Sequence, residues 1–76
     1  MKRISKKSIP SWEIRKMKNA AGWREKNIMD HATHVYVSQD NRIVEFIMPN
    51  PNYGKGKDFT KSFSCQWDRS RTAWTN

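Results

Sequence analysis

The fold is decided by residues 33–48, which read THVYVSQDNRIVEFIM. The two runs at 33–38 and 42–48 are rich in β-branched and aromatic residues, which favour β-strands. Between the runs, Gln39, Asp40 and Asn41 are residue types that are typical of turns. This segment is therefore predicted to form a β-hairpin.

A third strand is predicted downstream of the hairpin, after a loop. Residues 49–57 contain two prolines and two glycines, which interrupt regular structure. Polar residues then alternate with apolar ones, and Lys61 is the one exception on the apolar side. Such alternation predicts a strand that packs one face on the core. The apolar residues that share this parity are Phe59, Phe63, Cys65 and Trp67.

A helix is predicted upstream of the hairpin. Ser11, beside Pro10, is a candidate helix cap, and Glu13 in the first turn is favoured by the helix dipole. Gly22 is predicted to end this helix in a left-handed conformation. Residues 23–30 fit either a continued helix or a first short strand. The residues that share the predicted core face of the helix are Ile14, Met17 and Ala21.

Together these elements predict a small α+β domain. One N-terminal helix packs on a three-stranded antiparallel sheet in the order α-β-β-β, which is a stable two-layer arrangement. Residues 68–76 fit either a short C-terminal helix or a returning strand. Residues 1–8 are predicted to be a basic, flexible arm, and residues 9–76 a single domain. The core is predicted to include Ile14, Met17, Val35, Val37, Phe46, Phe63 and Trp67.

The charge of the chain is strongly positive and unevenly distributed. Its 15 Lys and Arg residues outnumber 7 Asp and Glu residues, which gives a net charge of +8 over 76 residues. Residues 1–18 and 54–76 are basic, whereas residues 28–53 are mildly acidic. Clustered positive charge marks a surface that meets a polyanion such as nucleic acid, or an acidic partner protein.

Several basic and aromatic residues are candidates for this surface. Lys55 and Lys57 lie in the loop but lack the spacing of a Walker motif. They would either contact phosphates at the end of the sheet or simply keep the loop hydrated. Trp12 would either stack on a base or pack internally, and Trp23 is predicted to turn into the core. The predicted nucleic-acid-binding residues are Lys6, Lys7, Trp12, Lys16, Lys55, Lys57, Lys61, Arg69 and Arg71.

No cofactor or metal site is predicted from the sequence. The single cysteine, Cys65, excludes an internal disulfide and a Cys-rich zinc site, and it favours a reducing, cytoplasmic location. His31 and His34 lack a third ligand that would support metal binding. His34 would be either a half-exposed strand residue or a general acid or base. No segment has the pattern of a signal peptide or a membrane span, so no membrane partner is expected.

Four short motifs lie within residues 14–49: Gly22-Trp23, Ala32-Thr33-His34, Asp40-Asn41-Arg42-Ile43-Val44 and Pro49. In this order they resemble motifs of HicA-like toxins, which are small mRNA interferases of bacterial toxin–antitoxin pairs. The resemblance implies a fold like that of a double-stranded-RNA-binding domain, α-β-β-β-α, and a function directed at RNA. It also implies that His34 stands where the family has a catalytic histidine.

Three functions are compatible with these observations. The leading hypothesis is a small basic module that binds RNA or DNA mainly through phosphate contacts. The second is a HicA-like, metal-independent ribonuclease that uses His34. The third is a phage or mobile-element inhibitor or adaptor that docks on an acidic host protein.

Overall fold

The computed structural model describes residues 1–75, and within them the chain forms two α-helices and one five-stranded antiparallel sheet. The predicted α+β class is confirmed. The strands lie in chain order across the sheet. The elements are β1 (Lys2–Ile4), a short 3-10 turn (Lys6–Ser8), α1 (Ser11–Ala20), α2 (Trp23–His31), β2 (His34–Val37), β3 (Ile43–Pro49), β4 (Ser62–Asp68) and β5 (Ala73–Trp74).

The predicted hairpin and third strand are confirmed as β2, β3 and β4. In the hairpin Val37 lies opposite Val44, and in the next pair Phe46 lies opposite Cys65. Asn41 in the hairpin turn has a φ of 61°, a left-handed conformation that asparagine tolerates better than most residues. The hairpin turn therefore pairs β2 with β3 in the register that puts the alternating apolar side chains of both strands on the same face.

The prediction of one helix is wrong, because residues 23–31 form a second helix rather than a strand. Gly22 is not left-handed; its φ is −78°, and it caps the start of α2. A break at this point turns the chain so that two short helices can each bury a stripe on the same sheet face. Met17 of α1 and Ile28 and Met29 of α2 supply those stripes.

The flexible arm predicted for residues 1–8 is also not observed. Lys2–Ile4 pair with β2 as an edge strand, with Ile4 opposite Val35. This pairing satisfies backbone groups of β2 that would otherwise be unpaired. At the other edge, Trp67 lies opposite Trp74, so the C-terminal segment contains a returning strand rather than a helix. The predicted domain boundary at residue 76 lies outside the described residues.

The core lies between the two helices and one face of the sheet. Two of the predicted core residues, Ile14 and Phe63, are only partly buried against it. Phe59 is not in β4 at all and is 76% exposed, because the strand begins three residues later at Ser62. The completely buried side chains include Met17, Ile28, Val44, Phe46, Cys65 and Trp67.

The alternating strand directions place the connections at two opposite ends of the sheet. The first, here called the loop end, comprises residues 5–8, residues 32–33 and the long β3–β4 loop of residues 50–61. The second, here called the turn end, comprises the tight turns at residues 38–42 and 69–72. This separation decides which predicted site residues can act together.

Candidate nucleic-acid interface

The predicted nucleic-acid-binding residues do not form one continuous site. β3 has seven residues, so the two ends of the sheet are roughly 20 Å apart. Four of the predicted residues lie at the turn end: Arg69 and Arg71 are in its second turn, and Trp12 and Lys16 of α1 lie beside that turn. The other five belong to the loop end: Lys6, Lys7, Lys55, Lys57 and Lys61.

The loop of residues 50–61 is organised by Asn50, whose side chain is buried beneath it. The Asn50 amide nitrogen donates to Asp58 Oδ2 at 2.9 Å and to the Thr60 carbonyl at 2.8 Å. Its amide oxygen accepts from the Asn52 backbone N–H at 2.9 Å. A loop braced in this way from both of its arms has a defined backbone course, which fixes the points from which its exposed side chains project.

Asp58 completes this brace from the second arm of the loop. Its Oδ1 accepts the Thr60 backbone N–H at 3.0 Å. Hydrogen bonds, first from Asn50 and then from Thr60, hold the pKa of Asp58 below its usual value. The carboxylate therefore stays ionised at neutral pH and keeps accepting these bonds.

Two glycines allow the loop to present its lysines. Gly54 and Gly56 have φ values of 78° and 60°, in the left-handed region that disfavours other residues. Lys55 lies between them and Lys57 follows, and both side chains are exposed. Neither forms an ion pair with a carboxylate in residues 1–75. Their charges are therefore available to an anionic partner.

Aromatic side chains accompany these lysines. Tyr53 is 48% exposed, and the Lys61 ammonium lies 5.9 Å from the centre of its ring. Phe59 is exposed on the opposite arm of the same loop. The loop end therefore combines cations with the flat apolar surfaces that nucleic-acid-binding proteins use for stacking.

Arg69, at the turn end, is committed to contacts within the protein. Its Nε donates to Glu13 Oε2 at 3.0 Å, and a terminal nitrogen donates to Glu13 Oε1 at 3.1 Å. Its remaining terminal nitrogen donates to the Asn41 carbonyl at 3.2 Å. This bidentate pair joins α1 to the turn that follows β4, and the Glu13 carboxylate in it is buried. The positive charge of Arg69 is therefore compensated within the protein.

The other turn-end residues surround a shallow cleft. Trp12 is 59% exposed, and the Lys16 ammonium lies 5.6 Å from the centre of its ring. With Thr72 and buried Trp67, they line a space of about 290 Å³ whose wall also carries the Glu13 carboxylate. Arg71 is exposed in the adjoining turn. Arg69 compensates the Glu13 carboxylate, so the cations left for a phosphate here are Lys16 and Arg71, fewer than the five lysines of the loop end.

The prediction that Trp23 turns into the core is wrong. Trp23 is the first residue of α2 and is 82% exposed. The side of α2 that carries Ile28 and Met29 packs on the sheet, and this orientation leaves the Trp23 side chain in solvent. It lies beside Phe63 and Met48, near the loop end, in a small apolar groove.

His34 begins β2 on the face of the sheet that the helices leave uncovered. Its Nδ1 lies 2.8 Å from the Thr33 hydroxyl, and its ring is parallel to that of Tyr36 with centres 6.2 Å apart. Within residues 1–75 no carboxylate forms a hydrogen bond with His34. The ring is therefore held by a hydroxyl and lacks the carboxylate that commonly orients a catalytic histidine.

Other chemistry is limited in the part of the chain that the structure describes. Burial raises the pKa of the Cys65 thiol to about 12, so it stays protonated and unreactive. No three His, Cys, Asp or Glu side chains among residues 1–75 are grouped so that they could hold a metal ion. No described helix is long and apolar enough to cross a membrane.

Comparison with protein families, with curated proteins and with solved structures found no significant match to this chain. The resemblance to HicA-like toxins therefore stays a prediction. The C-terminal helix that it implied is replaced by β5 within residues 1–75.

Three features of the loop end differ from the sequence prediction or lie outside it. The apolar alternation predicts Phe59 on the core face of a strand, and no sequence pattern singles out Tyr53. The apolar alternation breaks at Lys61, and this break was the signal that the strand begins after it. The pairing of Asn50 with Asp58 has no signature at the level of sequence, because it depends on how the two arms of the loop meet.

Proposed function

We propose that the protein binds nucleic acid through phosphate contacts at the loop end. The single observation that supports this proposal most is the braced β3–β4 loop, which holds Lys55 and Lys57 exposed and without compensating carboxylates. The braced backbone already places both lysines where their side chains can reach phosphates, so binding does not have to order the loop itself. The contacting residues are Lys6, Lys7, Lys55, Lys57 and Lys61.

Binding should be steeply salt dependent. About five phosphate contacts give an expected slope of roughly −4 to −5 for log K against log salt on duplex DNA. The double substitution Lys55→Ala/Lys57→Ala should weaken binding and reduce the slope by about two contacts. Fluorescence anisotropy of a labelled duplex, titrated at several salt concentrations, measures both quantities.

The matched control for this variant is Lys16→Ala/Arg71→Ala. It removes the same charge from exposed positions at the turn end, and we expect a smaller loss of affinity and a nearly unchanged slope. If the control variant lost more affinity than the loop variant, the interface would lie at the turn end, which would contradict the proposed location. Absence of binding by the wild type at about 50 mM salt would refute the proposed function.

His34 is expected to be a half-exposed strand residue rather than a catalytic one. Its ring has no carboxylate partner within residues 1–75 that would orient it for proton transfer. Purified protein should leave a long mixed-sequence RNA intact, and His34→Ala should change RNA affinity little. Gel analysis of RNA incubated with both proteins tests this; fragmentation by wild type alone would instead establish the ribonuclease hypothesis.

We also propose a cytoplasmic location. Cys65, the one cysteine of the chain, is buried and free. Small secreted domains usually depend on several disulfides, so a domain of this size without any is better suited to a reducing compartment.

A further inference from the structure

We propose that the loop end binds single-stranded nucleic acid, with Phe59 and Tyr53 stacking on unpaired bases. This inference rests on the proposed function and names the class of nucleic acid that the same site takes. The lysines supply contacts that any nucleic acid could satisfy, whereas the exposed rings select for bases whose faces are accessible.

Phe59 is the residue that most strongly supports this preference. Its ring is 76% exposed, although a phenylalanine side chain gains free energy from burial. The backbone on both sides of it is fixed, because Asn50 binds the side chain of Asp58 and the carbonyl of Thr60. The exposed ring is thus carried on a braced segment, and little freedom would be lost when a base stacks on it.

Tyr53 supplies a second ring on the first arm of the loop. Its backbone N–H donates to the Asn50 carbonyl at 3.1 Å, so this arm is also tied to the brace. The Lys61 ammonium near its ring places a phosphate-binding group beside a stacking surface. Alternation of base stacking with backbone neutralisation is how proteins bind single strands with little sequence preference.

A duplex cannot use these rings in the same way. Its bases are already stacked on one another and offer only their edges in the grooves. A single strand can turn its bases outward and place them on Phe59 and Tyr53 while its phosphates meet Lys55 and Lys57. The rings therefore contribute to single-strand binding and leave duplex binding to the lysines alone.

The test compares Phe59 variants on single-stranded and duplex probes of equal length. Labelled oligo-dT and oligo-rU of about 15 nucleotides and a duplex of the same length are titrated by anisotropy at one salt concentration. Phe59→Ala should weaken binding of at least one single strand by about 5- to 100-fold, the range for one base–aromatic stack. Duplex affinity should stay unchanged, and Phe59→Tyr should retain most of the single-strand affinity. The two oligonucleotides show whether DNA, RNA or both are bound.

The control is Trp12→Ala, which removes an exposed ring at the turn end and should leave single-strand affinity unchanged. Equal effects of Phe59→Ala on single strands and duplex, or no effect on either, would overturn this inference and leave the proposed function standing. No binding of any oligonucleotide would overturn both. Polyglutamate that displaces the single strands at equal charge concentration would show that the surface recognises acidic chains in general, and would also overturn the inference.

Discussion

Replacing Phe46 with alanine is expected to lower the free energy of unfolding by about 3–5 kcal/mol. Phe46 is completely buried in β3, at the centre of the sheet, with Val35 and Cys65 opposite it on the neighbouring strands. The centre of its ring lies 6.1 Å from that of Trp74. Removing the ring would leave a cavity that these strands cannot close. In a small domain this loss approaches the whole stability of about 5 kcal/mol.

Phe59→Ala is the matched control for this experiment, because it removes the same atoms from an exposed site. We expect it to change the free energy of unfolding by less than about 0.5 kcal/mol. Urea denaturation followed by circular dichroism measures both variants. Equal destabilisation by the two substitutions would contradict the placement of Phe46 in the core and of Phe59 in solvent.

The pH dependence of stability is expected to depend on Asp68. Its buried carboxylate accepts from Arg42 at 2.9 Å, from the Ser70 backbone N–H at 2.9 Å and from the Ser70 hydroxyl at 2.7 Å. The Arg42 hydrogen bonds, followed by those from Ser70, hold the pKa of Asp68 well below its usual value of 3.8. The ionised carboxylate therefore stabilises the folded state and closes the β4–β5 turn.

The direction of the effect follows from this lowered pKa. The stabilisation is fully present above the unfolded pKa near 3.8 and is lost as pH falls toward the lower folded pKa. Asp68→Asn, which has no carboxylate to protonate, should melt at a lower temperature than the wild type at about pH 6. We expect the gap between the two melting temperatures to narrow as pH falls from about 4 to about 2.

The comparison isolates Asp68 from other acidic groups. Hydrogen bonds also lower the pKa values of Asp40 and Asp58, and these two carboxyls titrate in both proteins alike. A melting-temperature gap that stays constant over this pH range would show that the Asp68 carboxylate contributes nothing as an ion. Since Arg42 is half-exposed, added salt should also reduce the gap at neutral pH.

The candidate interface is narrower than composition alone suggested. Arg69 contributes to the basic C-terminal third of the sequence, yet its donors are occupied by Glu13 and Asn41. Arg42 is similarly paired with Asp68. Counting charges along a chain does not reveal such pairs, because their members are separated by 26 to 56 residues. The loop-end lysines retain unpaired charge because no carboxylate of the described chain reaches them.

The sequence by itself determined the central hairpin, the apolar parity of β4, the α+β class and the basic character of the loop. These features depend on neighbours within a few residues, since a period of two, a turn motif or a run of glycines and lysines acts locally. The same local signals predicted that Val35, Val37, Phe46 and Trp67 lie in the core, where the structure places them.

Only the tertiary structure decided the rest. Lys2–Ile4 form a strand because β2 leaves one edge open, and Trp23 is exposed because Ile28 and Met29 orient α2. The division of the basic residues between two ends of the sheet follows from strand direction, which no local pattern specifies. The brace between Asn50 and Asp58 likewise forms only when β3 and β4 pair, and it is this pairing that turns a basic, aromatic loop into a fixed surface.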